Sequence, residues 1–185
     1  MKSDDRYLFT SERLGFRNWE LTDIDEMFRI NSDKEVMAFF PGVSTKEQTI
    51  AFIERMKSQL ANKGFCYFAV DKLTDNQFIG FIGLSEQTYS AAFTPCVDIG
   101  WRIKSSEWNR GFATEGAKRC LDFAFNDLKM DKIYSIAPKI NIKSEHIMTK
   151  IGMTKEYEFE HPLLVNDSRL KTCILYKIER INNAD

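Results

Sequence analysis

The spacing of apolar residues along the chain predicts an alternating series of strands and helices. A short extended segment, Arg13 to Arg17, comes first. Thr22-Asp23 then opens a helix whose apolar face is Ile24, Met27 and Phe28, together with Asn31. A brief helix over Lys34 to Phe39 is stopped by Pro41-Gly42. Ser44 or Thr45 caps the next helix, whose stripe is Ile50, Ile53, Met56 and Leu60 and which ends at Asn62-Lys63-Gly64. Three strand-like runs follow, Phe65 to Asp71, Phe78 to Ser85 and Cys96 to Ile103. The segment Leu73-Thr74-Asp75-Asn76 joins the first two as a hairpin. Gly80, Gly83 and Gly100 interrupt these runs, and a glycine inside a strand marks a bulge or the close approach of another group.

The second half has a long amphipathic helix from Gly111 to Leu128, with Ala113, Ala117, Cys120, Leu121 and Ala124 on its apolar face. A strand, Lys132 to Ala137, leads to a short helix from Asn141 to Ile151. Gly152 closes that helix, which places Met153 back against Met148. Strands over Thr154 to Phe159 and Leu170 to Ile178 complete the chain. Hairpins in the middle and two crossover helices imply one α/β domain over residues 1–185, a mixed sheet covered by helices on both faces.

Chemistry concentrates at the junction between the strand ending at Ile103 and the helix starting at Gly111, in the run Trp108-Asn109-Arg110-Gly111-Phe112-Ala113-Thr114-Glu115-Gly116. Small residues at a strand-to-helix turn let backbone N–H groups face outward, and the helix adds the positive end of its dipole. The result is an anion cradle over roughly Arg110 to Thr114. A P-loop is excluded, because Gly111 is followed by Phe112-Ala113 rather than Lys-Ser or Lys-Thr. A dinucleotide fingerprint is excluded too, because only Gly111 and Gly116 are present.

Composition narrows the partners. In 185 residues, 26 Lys and Arg nearly cancel 27 Asp and Glu, so the chain offers no electrostatic footprint for nucleic acid. No apolar run is long enough to span a membrane, and no signal segment follows Met1. Cys66, Cys96, Cys120 and Cys173 are scattered, and His146 and His161 complete no metal spacing. Free thiols, a cytoplasmic location and no metal are the expectation.

The run Ile99-Gly100-Trp101-Arg102-Ile103, a four-residue spacer and Trp108 to Gly116 together resemble the acetyl-CoA-dependent N-acetyltransferases of the GNAT superfamily. Within it, the chain looks like the ribosomal-protein N-terminal acetyltransferases (RimJ/RimL-like). Three further segments carry this resemblance: Ser11-Glu12-Arg13-Leu14 followed by Arg17, Asn141 and Ser144 with Lys150-Ile151-Gly152-Met153, and His161-Pro162 ahead of a strand ending at Tyr176.

The resemblance implies a mixed, mostly antiparallel twisted sheet of about six or seven strands. It also implies acetyl-CoA as co-substrate, with its pyrophosphate at Trp108, Asn109, Arg110, Gly111, Phe112, Ala113 and Thr114. The pantetheine arm would pair with the strand near Trp101 to Ile103, freed by a bulge or splay for which Gly100 is placed. Asn141 matches an asparagine that contacts the cofactor or stabilises the site. The position where many relatives carry a tyrosine acid is Met148 here, which leaves Ser144 as the candidate acid, with a helix-capping role as its alternative.

Asp98 and Glu86 are the candidate bases, and His146 has a suitable intrinsic pKa. Phe39, Phe40, Tyr89 and Phe93 flank loops able to line an acceptor pocket. The expected reaction moves an acetyl group to a primary amine, foremost a protein N-terminal α-amine. A small amine (amino acid, polyamine or aminoglycoside) is the alternative acceptor, and a non-catalytic acyl-CoA sensor the alternative role. Both a monomer and a homodimer fit the sequence.

Overall fold

A computed structural model describes residues 6–180. The elements are β1 (Phe9–Thr10), β2 (Leu14–Arg17), α1 (Asp23–Ser32), α2 (Lys46–Lys63), β3 (Tyr67–Lys72), β4 (Gln77–Gln87) and β5 (Cys96–Ile103). They continue with α3 (Phe112–Asp122), β6 (Lys132–Pro138), α4 (Ile142–Lys150), β7 (Thr154–Glu160) and β8 (Thr172–Glu179). One eight-stranded sheet runs in the order β1-β2-β3-β4-β5-β6-β8-β7. Every neighbouring pair is antiparallel except β5 and β6. The eighth strand is β1, two residues paired as Phe9 with Phe16 and Thr10 with Gly15, too short to show alternation in the sequence.

Local chemistry explains the helices. Thr45 and Gln48 form a reciprocal capping box at the start of α2, and Gly64 ends it in the left-handed region. Its buried stripe is Thr49, Ile53 and Met56, whereas Ile50 faces solvent. The short helix expected at Lys34 to Phe39 is a 3₁₀ turn over Val36–Phe39. The long helix of the second half ends in a widened π turn, Phe123–Asp127. Helix α4 closes as expected on Gly152, with the Met153 N–H donating to the Met148 carbonyl at 3.0 Å.

The sheet divides the core. On one face Leu14, Phe16, Phe68 and Ile82 meet α3. On the other, Trp19, Phe52, Tyr67 and Phe81 stack edge to face and offset, with centroids 5.0–6.5 Å apart, beneath α1 and α2.

That second face also contains charge. Arg17 is wholly buried and donates from both Nη atoms to Asp23 at 2.7 Å and from Nε to Asp71 at 2.8 Å. Burial by itself would lower the Arg17 pKa, but hydrogen bonds and charges from Asp23 and Asp71 raise it above its ordinary value. The triad bolts the start of α1 to β2 and β3. Thr22 makes no side-chain cap there, and Asp23 accepts the Glu20 N–H instead. Replacing Arg17 with Leu strands the buried Asp23 carboxylate and leaves Asp71 with Arg6 as its counter-ion, at 3.0 Å. It is expected to cost about 3–5 kcal/mol, read as a lower midpoint in urea unfolding. A loss under about 1 kcal/mol would show the triad to be dispensable.

Candidate active site

The parallel junction is where the sheet opens. Strands β5 and β6 share a single rung, Asp98 opposite Tyr134, and then diverge. Two side chains tie off the ends of the exposed β5 edge. Ser135 Oγ donates to the Ile99 carbonyl at 3.0 Å, and Trp108 Nε1 donates to the Ile103 carbonyl at 3.1 Å. By strand alternation Trp101 turns both its N–H and its carbonyl to that same open edge. A cleft of about 720 Å3 fills the gap, bounded by β5, β6 and the first turns of α3 and α4. The opening is a splay and owes nothing to a bulge at Gly100. The β4–β5 ladder is continuous from Gly80–Ile103 to Gln87–Cys96, and Gly100 serves instead to admit the Tyr67 ring. A Cβ on Gly100 would sit 3.1 Å from that ring.

At one end of the cleft lies the glycine turn. Asn109 (φ 59°) and Gly111 (φ 82°) both take the left-handed conformation, which curls the backbone ahead of α3. The Glu115 N–H is the first in the helix with a carbonyl partner, that of Gly111 at 2.9 Å. The N–H groups of Phe112, Ala113 and Thr114 therefore have no acceptor among the described residues, and they project from the positive end of the helix. Trp101, Ile103, Trp108, Asn109, Gly111, Phe112, Ala113, Thr114 and Asn141 all border the cleft. Arg110 does not, because its guanidinium turns back to Glu107 at 2.6 Å.

Glu115 is the anchor of this turn. It accepts from Ser11 Oγ at 2.7 Å, from the Arg13 N–H at 2.8 Å and from Arg13 Nε at 2.6 Å. Burial pulls its pKa up, but these bonds hold it below the ordinary glutamate value. The β1–β2 turn thus fixes the start of α3, a contact spanning a hundred residues that no local pattern announces.

Toward the single β5–β6 rung lie two titratable groups, Asp98 and Tyr67. Asp98 is 8% exposed and accepts a 2.6 Å hydrogen bond from the Tyr67 hydroxyl. Burial pushes its pKa up to about 6, against the pull of hydrogen bonds from Tyr67 and Gln87. Burial and the adjacent Asp98 charge keep the Tyr67 hydroxyl protonated far above its ordinary pKa. Ser144 borders the cleft. Its N–H receives the cap from Asn141 Oδ1 at 3.2 Å, and its hydroxyl makes no hydrogen bond among the described residues. Asn141 is thus the capping residue of α4, and Ser144 is the capped one.

Other candidates lie elsewhere. Glu86 borders no part of the cleft and pairs with Lys63 at 2.6 Å. Tyr89 and Phe93 pack against His161, Tyr134 and Phe159 instead. Phe39 and Phe40 do line the cleft, as do His146, exposed on α4, and the buried Met148.

Residues 13–154 match the acetyltransferase (GNAT) domain family. A Bacillus subtilis (strain 168) protein named as the uncharacterized N-acetyltransferase YnaD is 31% identical over 82% of this chain and 85% of its own. The crystal structure of a GNAT-family acetyltransferase from Bacillus anthracis superposes with a TM-score of 0.77 at 26% identity, covering 92% of this chain and 96% of that one. Two solved structures below 25% identity share the fold. Ribosomal-protein-S5-alanine acetyltransferase from Vibrio fischeri has a TM-score of 0.75 at 17% identity, covering 96% of this chain and 98% of that one. Spermidine N-acetyltransferase from Vibrio cholerae, in complex with CoA and spermine, has a TM-score of 0.70 at 20% identity, with coverage of 90% and 95%.

The chain belongs to the GNAT acetyltransferase family, and it is an acyltransferase of the N-acetyltransferase type. Enzymes of this family use acetyl-CoA, and the residues present fit that co-substrate. The unpartnered N–H groups of Phe112 to Thr114 suit its pyrophosphate, and the open Trp101 edge suits an amide-bearing arm. Among the described residues no helix is long and apolar enough to cross a membrane, and no group of side chains could hold a metal ion.

A side chain at position 111 would have to adopt the left-handed turn. Gly111→Ala is therefore expected to lose about 1–2 kcal/mol of stability or to swing the amides out of line. Titration calorimetry should show CoA binding weakened about ten-fold, as expected when one well-aimed charge-assisted hydrogen bond is lost. Unchanged affinity would remove the turn from the binding site.

Proposed function

We propose that this protein transfers the acetyl group of acetyl-CoA to a primary α-amine, at a peptide chain end or on an amino acid, by direct attack within a ternary complex. The buried Asp98–Tyr67 pair in the cleft carries this reading. Attack forms the C–N bond at the thioester carbonyl carbon and breaks the C–S bond. The proton leaving the amine passes across the Tyr67 hydroxyl to Asp98, whose pKa near 6 suits a base at neutral pH. Ser144 donates its hydroxyl proton toward the departing thiolate and is reprotonated from solvent. The positive end of α4, capped by Asn141, lies beside it and favours the anion. The splayed edge at Trp101 and the Phe112–Thr114 amides hold the donor in place. Likeness to the ribosomal-protein acetyltransferases, in the motifs at Ser11, Asn141 and His161 and in fold, supports an α-amine as acceptor.

The pH profile tests the base. Only the carboxylate form of Asp98 takes a proton, so kcat/KM should fall as pH drops through about 6. Asp98→Asn should erase that limb and lower kcat by about 10²–10⁴-fold. A retained limb would move the base elsewhere.

Stability should change in the opposite sense. The folded-state pKa of Asp98 lies above the unfolded one, so its contribution to stability is full at low pH and is lost as pH rises through about 6. At pH 8 Asp98→Asn should therefore melt above the parent protein, and an unchanged melting temperature would contradict the buried charge. Ser144→Ala should lower kcat about ten-fold with CoA affinity intact, because the cap belongs to Asn141. Unchanged kcat would leave Ser144 without a chemical role.

A further inference from the structure

We infer that the acceptor is an amine that also carries an anionic group, a carboxylate, which Arg102 receives with Arg55 beside it. This deepens the reading of the preceding subsection and rests on it. Asp98, Gly100 and Arg102 alternate onto one face of β5, the face that α1 and α2 cover. Asp98 stands at the reacting end. Four residues along, on the order of 13 Å between Cα atoms, comes Arg102.

Arg102 is unusual in what it lacks. Nη1 donates to the neutral Asn31 Oδ1 at 2.7 Å, and its guanidinium lies 4.0 Å from the Phe40 ring centre and 5.4 Å from that of Phe81. Its Nε is buried with no partner, and it has no ion pair among the described residues. Burial pulls its pKa down to about 10, so it stays charged at neutral pH. The contrast is with Arg17, which is wholly buried and saturated by two carboxylates. A half-buried cation whose Nε is sealed from solvent, left with aromatic rings and one amide, has an unmet demand for an anion.

Arg55, on α2, lines the same end of the cleft, with its guanidinium 5.6 Å from the Phe52 ring centre and likewise no ion pair among the described residues. Both guanidinium groups act through space on the Tyr67 hydroxyl. The acidic residues bordering the cleft are Asp98 and Glu107, and Glu107 is already bound by Lys72 at 3.1 Å and Arg110 at 2.6 Å. The acceptor end therefore has one negative pole, at the chemistry, and a pair of positive poles beyond it. An amine that also carries a carboxylate matches both. A polyamine would bring its second cation against Arg102 and Arg55, where like charges repel.

The carboxylate has two possible sources, a free amino acid or an acidic side chain next to a peptide's N-terminal residue, and the test separates them. With purified protein and acetyl-CoA, CoA release is followed for amino acids against their amides, for short peptides with Glu against Gln at the second position, and for spermidine. The carboxylate form in at least one pair should exceed its neutral twin in kcat/KM by about 30-fold or more, and the preferred pair names the source. Arg102→Met should bring that ratio within about three-fold, Arg102→Lys should keep part of it, and CoA affinity measured by calorimetry should stay unchanged in both. Equal rates for the charged and neutral twins, or spermidine as the best acceptor, would overturn the inference and leave the acetyl-transfer reading intact. Absence of CoA release with every amine, despite CoA binding, would overturn both.

Discussion

The single rung between Asp98 and Tyr134 governs this molecule. A parallel pair needs a crossover connection, and α3 supplies it, so its N-terminus is delivered to the mouth of the gap that opens beyond the rung. The unpartnered amides of Phe112 to Thr114, the free edge at Trp101 and the first turn of α4 all converge on that gap because the two strands separate there. Had β6 stayed in register with β5, Trp101 would have spent its backbone groups on the sheet and no cleft would exist. Ser135 and Trp108 keep the separation tidy by satisfying the Ile99 and Ile103 carbonyls that the divergence strands.

Charge is used in two opposed ways on one face of the sheet. Arg17, Asp23 and Asp71 form a closed set in which every buried ion has its counter-ion, and they fix β2, β3 and α1. Asp98 and Arg102, both on β5 and on the same face of the sheet, lack counter-ions. Asp98 has a neutral phenol and Arg102 a neutral amide with aromatic rings. The closed set stabilises the fold. The open pair stores electrostatic free energy that a substrate with the complementary charges releases on binding.

Much of this arrangement could be read from the chain and some could not. Helices with strong local signals, such as α2 with Thr45, Gln48 and Gly64, or α4 with Asn141 and Gly152, appear where their caps place them. The turn at Gly111 was legible because a left-handed glycine before an apolar stripe is a local event. The partner of Asp98 was not, since Tyr67 lies thirty-one positions away and meets it only through the registers of β3 on β4 and β4 on β5. Glu86 looked equivalent to Asp98 on composition alone, but one strand position of offset in the β4–β5 ladder separates a cleft residue from one paired with Lys63. Gly100 misled for a related reason. A strand glycine announces a close approach, and only the tertiary structure says that the visitor is a phenol ring rather than a bulge.

The gap also bears on how long the protein survives. With one rung joining them, β1–β5 and β6–β8 are two leaves of a sheet whose shared edge, in the proposed reading, is completed by a molecule that comes and goes. A co-substrate lying along Trp101 contributes to folding free energy in proportion to RT ln(1 + [L]/Kd), a gain of about 2.7 kcal/mol at a hundred-fold excess over Kd. The fraction of chains open to proteolysis then follows the supply of acetyl-CoA, so a cell short of acetyl groups would keep less of the enzyme that uses them.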